Sequence, residues 1–200
     1  MLVLPCISPW GFEMIQRWTP NAVDPNRYFK AGKEGCLEAA FAMKFISENV
    51  ANSAGILMHT DLHETTDTDN SELCPARFAR DGEVNPQFDE IPDGFYLVAN
   101  DHCPEPEWQR AIIEAVAKIT HIAPPDSKGT IIGEVPTDHG VVTIAGRAEG
   151  LCGGHTDARF TTTTEVYPDS PTATPEECNE AQCCVVVTGI NKALEMTKQA

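Results

Sequence analysis

Residues 35–64 read GCLEAAFAMKFISENVANSAGILMHTDLHE, and this run sets the fold class. Its first half spaces Leu37, Phe41 and Phe45 at i, i+4, with Ala40 and Ile46 beside them. That spacing predicts a helix over 35–50 whose bulky apolar stripe faces a core. The second half, Gly55–Leu62, opens apolar and turns polar toward its carboxyl end, which predicts a strand.

The same alternation continues downstream. Phe95–Ala99 predicts a strand, and Glu105–Thr120, with Trp108, Ile112, Val116 and Ile119 on one face, predicts a helix. Two short β-rich runs follow, Ile131–Val135 and Val141–Ala145, and then the β-branched run Phe160–Val166. Thr174-Pro175-Glu176-Glu177 supplies an N-cap, a first-turn proline and a capping-box glutamate for a last helix running to about Lys198. Upstream, Leu2–Ile7 predicts a short buried strand closed by the Ser8-Pro9-Trp10-Gly11 turn, and Arg17–Phe29 predicts a loop. The polar stretch around 64–92 reads as a long loop or insertion. Strands alternating with helices predict one α/β domain over residues 1–200 with a mixed, largely parallel sheet, which binds ligands beyond the carboxyl ends of its strands.

Composition narrows the function classes. The 200 residues hold 14 Lys and Arg against 30 Asp and Glu, a formal net charge of −16, with 42% hydrophobic residues. Such a surface repels phosphate and anionic lipid, so neither nucleic acid nor a membrane is an expected partner. No apolar stretch approaches the roughly 18 residues of a membrane span. The eight cysteines form no C-x-x-C pair, and the start lacks the basic leader and long apolar centre of a signal peptide. Reduced thiols and a cytoplasmic protein are the expectation.

Three stretches carry chemistry. In Asp61-Leu62-His63-Glu64-Thr65-Thr66-Asp67-Thr68-Asp69, His63 ends an apolar strand two residues after an aspartate, the placement of a metal ligand with a carboxylate to fix its tautomer. Glu64 is the alternative ligand or base, since neighbours on an extended chain point to opposite sides and the two are not expected to face the site together. In the loop, Arg17, Arg27 and Asn26 offer guanidinium forks and an amide to a carboxylate, with salt bridging to nearby acids as the plain alternative. In Phe160–Pro168, Glu165 lies inside a β-branched run, where burial raises a carboxyl pKa toward that of a general base; pairing with Arg159 is the structural alternative.

In chain order, Arg17, then Val23-Asp24-Pro25-Asn26-Arg27, then the strand end Asp61-Leu62-His63, then Thr164-Glu165 resembles the zinc metallocarboxypeptidases of the carboxypeptidase A type. Ser8-Pro9-Trp10-Gly11 resembles that family's Asn-Pro-Asp-Gly turn, with Ser8 in place of the usual Asn. The resemblance covers about residues 1–66 and 150–190 and implies an α/β/α sandwich around a mixed sheet. It further implies His63 as a zinc ligand, Asn26 and Arg27 holding a substrate's terminal carboxylate, and Arg17 stabilising the oxyanion. Glu165 would be the general base and acid, Asp24 would orient a histidine ligand, and Asp157 would line the pocket for a basic terminal side chain. The implied reaction is removal of a carboxyl-terminal amino acid by metal-activated water. Asp61-Leu62-His63-Glu64-Thr65-Thr66 is also similar to the D-L-H-N-T-T run of the aspartoacylase and succinylglutamate desuccinylase branch, which implies an acylated amino acid as the other substrate class.

The sequence departs from the family at the zinc. Two further ligands come in the family from an H-x-x-E motif upstream of the arginine loop, and the chain has no such motif there. His102-Cys103-Pro104-Glu105 has the spacing but lies after His63 and contains proline. Together with the apolar start Met1–Leu4, this gives the expectation of the carboxyl-terminal part of a longer domain, an N-terminally truncated sandwich. One imidazole cannot hold catalytic zinc, so weak zinc binding, or a remnant that binds a carboxylate without metal, is a further expectation.

Overall fold

A computed structural model describes residues 1–84 and 90–198. After a short helix α1 (Pro9–Met14) and the single turn Pro25–Arg27, the chain forms α2 (Leu37–Val50) and β1 (Met58–Glu64). A π-helical turn, Asp69–Leu73, runs into α3 (Cys74–Asp81). Then come β2 (Tyr96–Asn100), α4 (Pro106–Val116), β3 (Val141–Ile144), α5 (Gly146–Glu149), β4 (Phe160–Val166) and α6 (Pro175–Lys198). Among the described residues these four strands form one sheet in the order β1-β4-β2-β3. β1 runs parallel to β4 and β2 parallel to β3, while β2 meets β4 antiparallel, so the sheet is mixed and mostly parallel as expected.

Strand alternation sorts the side chains into two layers. Phe160 and Val166 of β4 and Leu97 and Ala99 of β2 point to one face, where Trp108, Ile112 and Val116 of α4 and Ala181 and Val185 of α6 close over them. Trp108 is fully buried, and its indole N–H donates to the Gly189 carbonyl at 2.9 Å, tying α4 to α6. His59, Asp61 and His63 of β1 and Thr161, Thr163 and Glu165 of β4 point to the other face in register, residue beside residue. Over that face lie the turn Cys152–Gly154 and, beyond it, α2, whose Ala39 and Ala42 pack with Cys152, Phe29 and Cys36. Gly153 permits this approach, since a Cβ there would meet the Thr163 hydroxyl at 2.5 Å.

Three expectations are corrected. α2 forms, but it buries Ala39, Ala42 and Ile46 and leaves Leu37, Phe41 and Phe45 at 69%, 66% and 44% exposure. Its small-residue face fits the close approach of the Cys152 turn, which bulkier side chains would hold off. Residues 2–7 form no strand; Val3 is exposed, and only Leu4 and Ile7 lean on the α2 cluster. Pro5 has no N–H to give a ladder. Residues 131–135 make a tight turn closed by the Ile131–Glu134 bridge rather than a strand. The polar stretch around 64–92 contains the π-helical turn and α3, and its residues 85–89 lie outside the described residues.

Candidate active site

The carboxyl ends of the parallel pair β1 and β4 place His63 beside Glu165. His63 Nδ1 lies 3.6 Å from Glu165 Oε1, and Nε2 lies 3.0 Å from Asp61 Oδ2. Flanked by carboxylates at both nitrogens, the ring is stabilised as an imidazolium. Burial pulls its pKa down, but Asp61 and then Glu165 overcome this and raise it to about 9. Asp61 is itself held below the ordinary carboxylate range, because His63 outweighs the burial that would raise it. The 3.0 Å approach is poorly directed, and Asp61 Oδ2 is a buried oxygen without a well-aligned hydrogen bond.

Glu165 is pushed above its usual pKa by burial, against the pull of His63 and Arg17. Its Oε2 accepts a hydrogen bond from the Thr65 hydroxyl at 3.2 Å. Arg159 does not pair with it; that guanidinium leaves the opposite end of β4 for Glu105. The Gln182 amide of α6 donates to the His63 carbonyl at 2.7 Å and accepts from the Thr164 hydroxyl, clamping the two strand ends together.

The arginine loop closes one side. Asp24 caps the Pro25–Arg27 turn by accepting the Asn26 backbone N–H at 2.9 Å, and its other oxygen accepts from Arg17 Nε at 3.3 Å. It touches no histidine ligand among the described residues. Asn26 Oδ1 accepts the Cys152 backbone N–H at 2.7 Å, which turns the Asn26 Nδ2 toward His63 Nε2 at 3.5 Å. Arg27 donates to the Asn26 carbonyl at 2.8 Å. Arg17 Nη1 donates to Asp69 at 3.2 Å. Burial opposes the charge of Arg17, but Asp24 and Asp69 hold its pKa above the ordinary value.

The fold therefore gathers His63, Glu165, Arg17 and Asn26 at one end of the sheet, with Arg27 on the adjoining turn. It does not bring Asp157 to them: that side chain is 94% exposed and pairs with Arg147 at 2.7 Å. His102 sits beside Asp101 while Glu105 holds Arg159, so the H-x-x-E spacing at 102–105 makes no joint site. Tyr167 turns from Glu165 to Asp67, donating to its carboxylate at 2.6 Å.

Two neighbours escaped the sequence reading. His59 shares the site face of β1, with Nδ1 3.0 Å from the Thr156 hydroxyl and Nε2 3.9 Å from Cys152 Sγ. Burial lowers the His59 pKa, and burial with the Asp61 charge drives the Cys152 thiol far above its usual value. The alternation His59, Asp61, His63 contains the signal for His59, since every second residue of a strand shares a face. Cys152 arrives on a turn from 93 residues further along and has no such signal.

Zinc needs three protein donors around an open position. Among the described residues no group of three or more His, Cys, Asp or Glu is arranged to hold a metal ion. His63 faces carboxylates already engaged with it and with Thr65, so the donors present do not fit the zinc set that the resemblance implies.

No protein-family model matches the sequence, and no curated protein matches it. Among solved structures, one described as the crystal structure of a "putative metallopeptidase" from Shewanella denitrificans OS217 has a similar fold, with a TM-score of 0.61 at 15% identity. The similarity covers 95% of this chain and 60% of that one, and at this identity it is a likeness of fold.

Proposed function

We propose that this end of the sheet is a hydrolase site of the metallocarboxypeptidase kind, acting on an amide bond next to a free carboxylate. The observation that carries this reading is the convergence of Arg17, Asn26, His63 and Glu165, from three separate stretches of chain, at the carboxyl ends of β1 and β4. Asn26 Nδ2 and Arg27 would hold the carboxylate of the terminal residue. Arg17 would stabilise the oxyanion that develops on the scissile carbonyl. Glu165, with its raised pKa, would take a proton from the attacking water and return it to the leaving amine. No step is assigned to zinc, because the described donors do not form its cage; a metal would need donors besides His63.

The acylated amino acids remain as a second substrate class on a specific observation. Thr65, the first threonine of the D-L-H-x-T-T run, donates directly to Glu165. A panel of short peptides and N-acyl amino acids, with and without added zinc, tests both. Release of the carboxyl-terminal residue from peptides, abolished by Glu165→Gln, is the expected result. Turnover of the acylated set alone would replace the peptidase reading by a deacylase. Zinc titration of the chain adds a separate arm: tight 1:1 binding lost in His63→Ala would show that donors do assemble, and no turnover with no binding would leave a non-catalytic remnant.

A further inference from the structure

The Arg17 guanidinium is already occupied by a carboxylate from within the chain. Nε points to Asp24 and Nη1 to Asp69, at 3.3 and 3.2 Å. The two partners differ in kind. Asp24 belongs to Arg17's own loop and caps the turn that carries Asn26. Asp69 comes from a different stretch of chain, at the start of the π-helical turn that follows β1. A guanidinium recognises a carboxylate or an oxyanion best with two parallel N–H groups. Asp24 and Asp69 thus engage the Nε N–H and an Nη1 N–H of the guanidinium.

We infer that Asp69 is a built-in competitor for Arg17, and that it sets which ligands the site accepts. A ligand oxygen takes that Nη1 N–H only by displacing the Asp69 carboxylate, which an oxyanion does better than a neutral oxygen. This rests on the reading of this end of the sheet as a carboxylate-recognising hydrolase site.

Asp69 is held in place without Arg17. Its Oδ2 accepts the Thr66 backbone N–H at 3.1 Å. The loop is pinned to the end of β4 by the Tyr167 hydroxyl on Asp67 at 2.6 Å and by the Asp67 N–H on Asp169 at 2.9 Å. The exchange of partners at Arg17 therefore asks for a rotation of one side chain and leaves the loop anchored. Asn at position 69 could still accept from Thr66 but carries no charge for Arg17, so Asp69→Asn separates competition from loop structure.

The test is calorimetric titration of the full chain with N-benzoylglycine, which offers a carboxylate and an amide carbonyl. Asp69→Asn is expected to bind it about fivefold more tightly than the unaltered chain, the scale of a partly exposed ion pair. Asp69→Glu, which keeps the charge, is expected to bind as the unaltered chain does, and Arg17→Ala to lose the gain when combined with Asp69→Asn. A gain in affinity is not what damage to the fold produces. Equal binding by the unaltered chain and Asp69→Asn would overturn the competition while leaving the carboxylate site standing. Binding by neither would overturn both the competition and the reading of the site on which it rests.

Discussion

His63 concentrates the electrostatics of this chain in one ring. Its raised pKa, about 9 against 6.5 for the free group, means that the folded state holds a proton the unfolded chain releases. That contribution to stability is fully present below pH 6.5 and is lost as pH rises through about 9. Asp61 is the mirror case: its lowered pKa contributes stability above the ordinary carboxylate range, lost as acid protonates it. Denaturant unfolding without added metal should therefore show stability falling by about 2 kcal/mol between pH 6.5 and 8.5. His63→Gln should flatten that slope, and a slope unchanged in the variant would deny the pairing its thermodynamic role. The imidazolium has a chemical corollary. A metal ligand must be neutral, so any ion arriving at His63 has to expel a proton, and its binding should tighten as pH rises.

At the scale of elements, local signals and tertiary signals part company. The start of α6 is written in four residues: the Thr174 hydroxyl accepts the Glu177 N–H at 3.2 Å, and the Glu177 carboxylate accepts the Thr174 N–H at 2.8 Å. Thr174→Ala should cost about 1 kcal/mol in a chemical melt. That helix, α4 with its Trp108, Ile112 and Val116 face, and the threonine-rich β4 were legible because their cues lie within one turn or one strand. The face of α2 was not legible, because what it packs on is a glycine-bearing turn more than a hundred residues away. The site divides in the same way. Strand-end residues His63 and Glu165 could be read from their own runs, and the loop residues Arg17 and Asn26 from resemblance. Their actual partners, Asp69 for Arg17, Cys152 for Asn26 and Gln182 for the His63 carbonyl, are choices made by packing.

Across the whole molecule, no helix among the described residues is long and apolar enough to cross a membrane. β1 has β4 on one side and, among the described residues, no strand on the other. On β1 itself, Leu62 is 48% exposed. Such an unsatisfied backbone ladder is a template for another strand of any origin. A net charge of −16 holds like molecules apart in dilute buffer, and that repulsion fades as salt shortens its reach to about 10 Å at 0.1 M. Light scattering should accordingly find particle size growing with ionic strength, and Leu62→Lys should suppress the growth. On that outcome the acidity of the surface would have a colloidal duty, holding apart the sheet margins of neighbouring molecules.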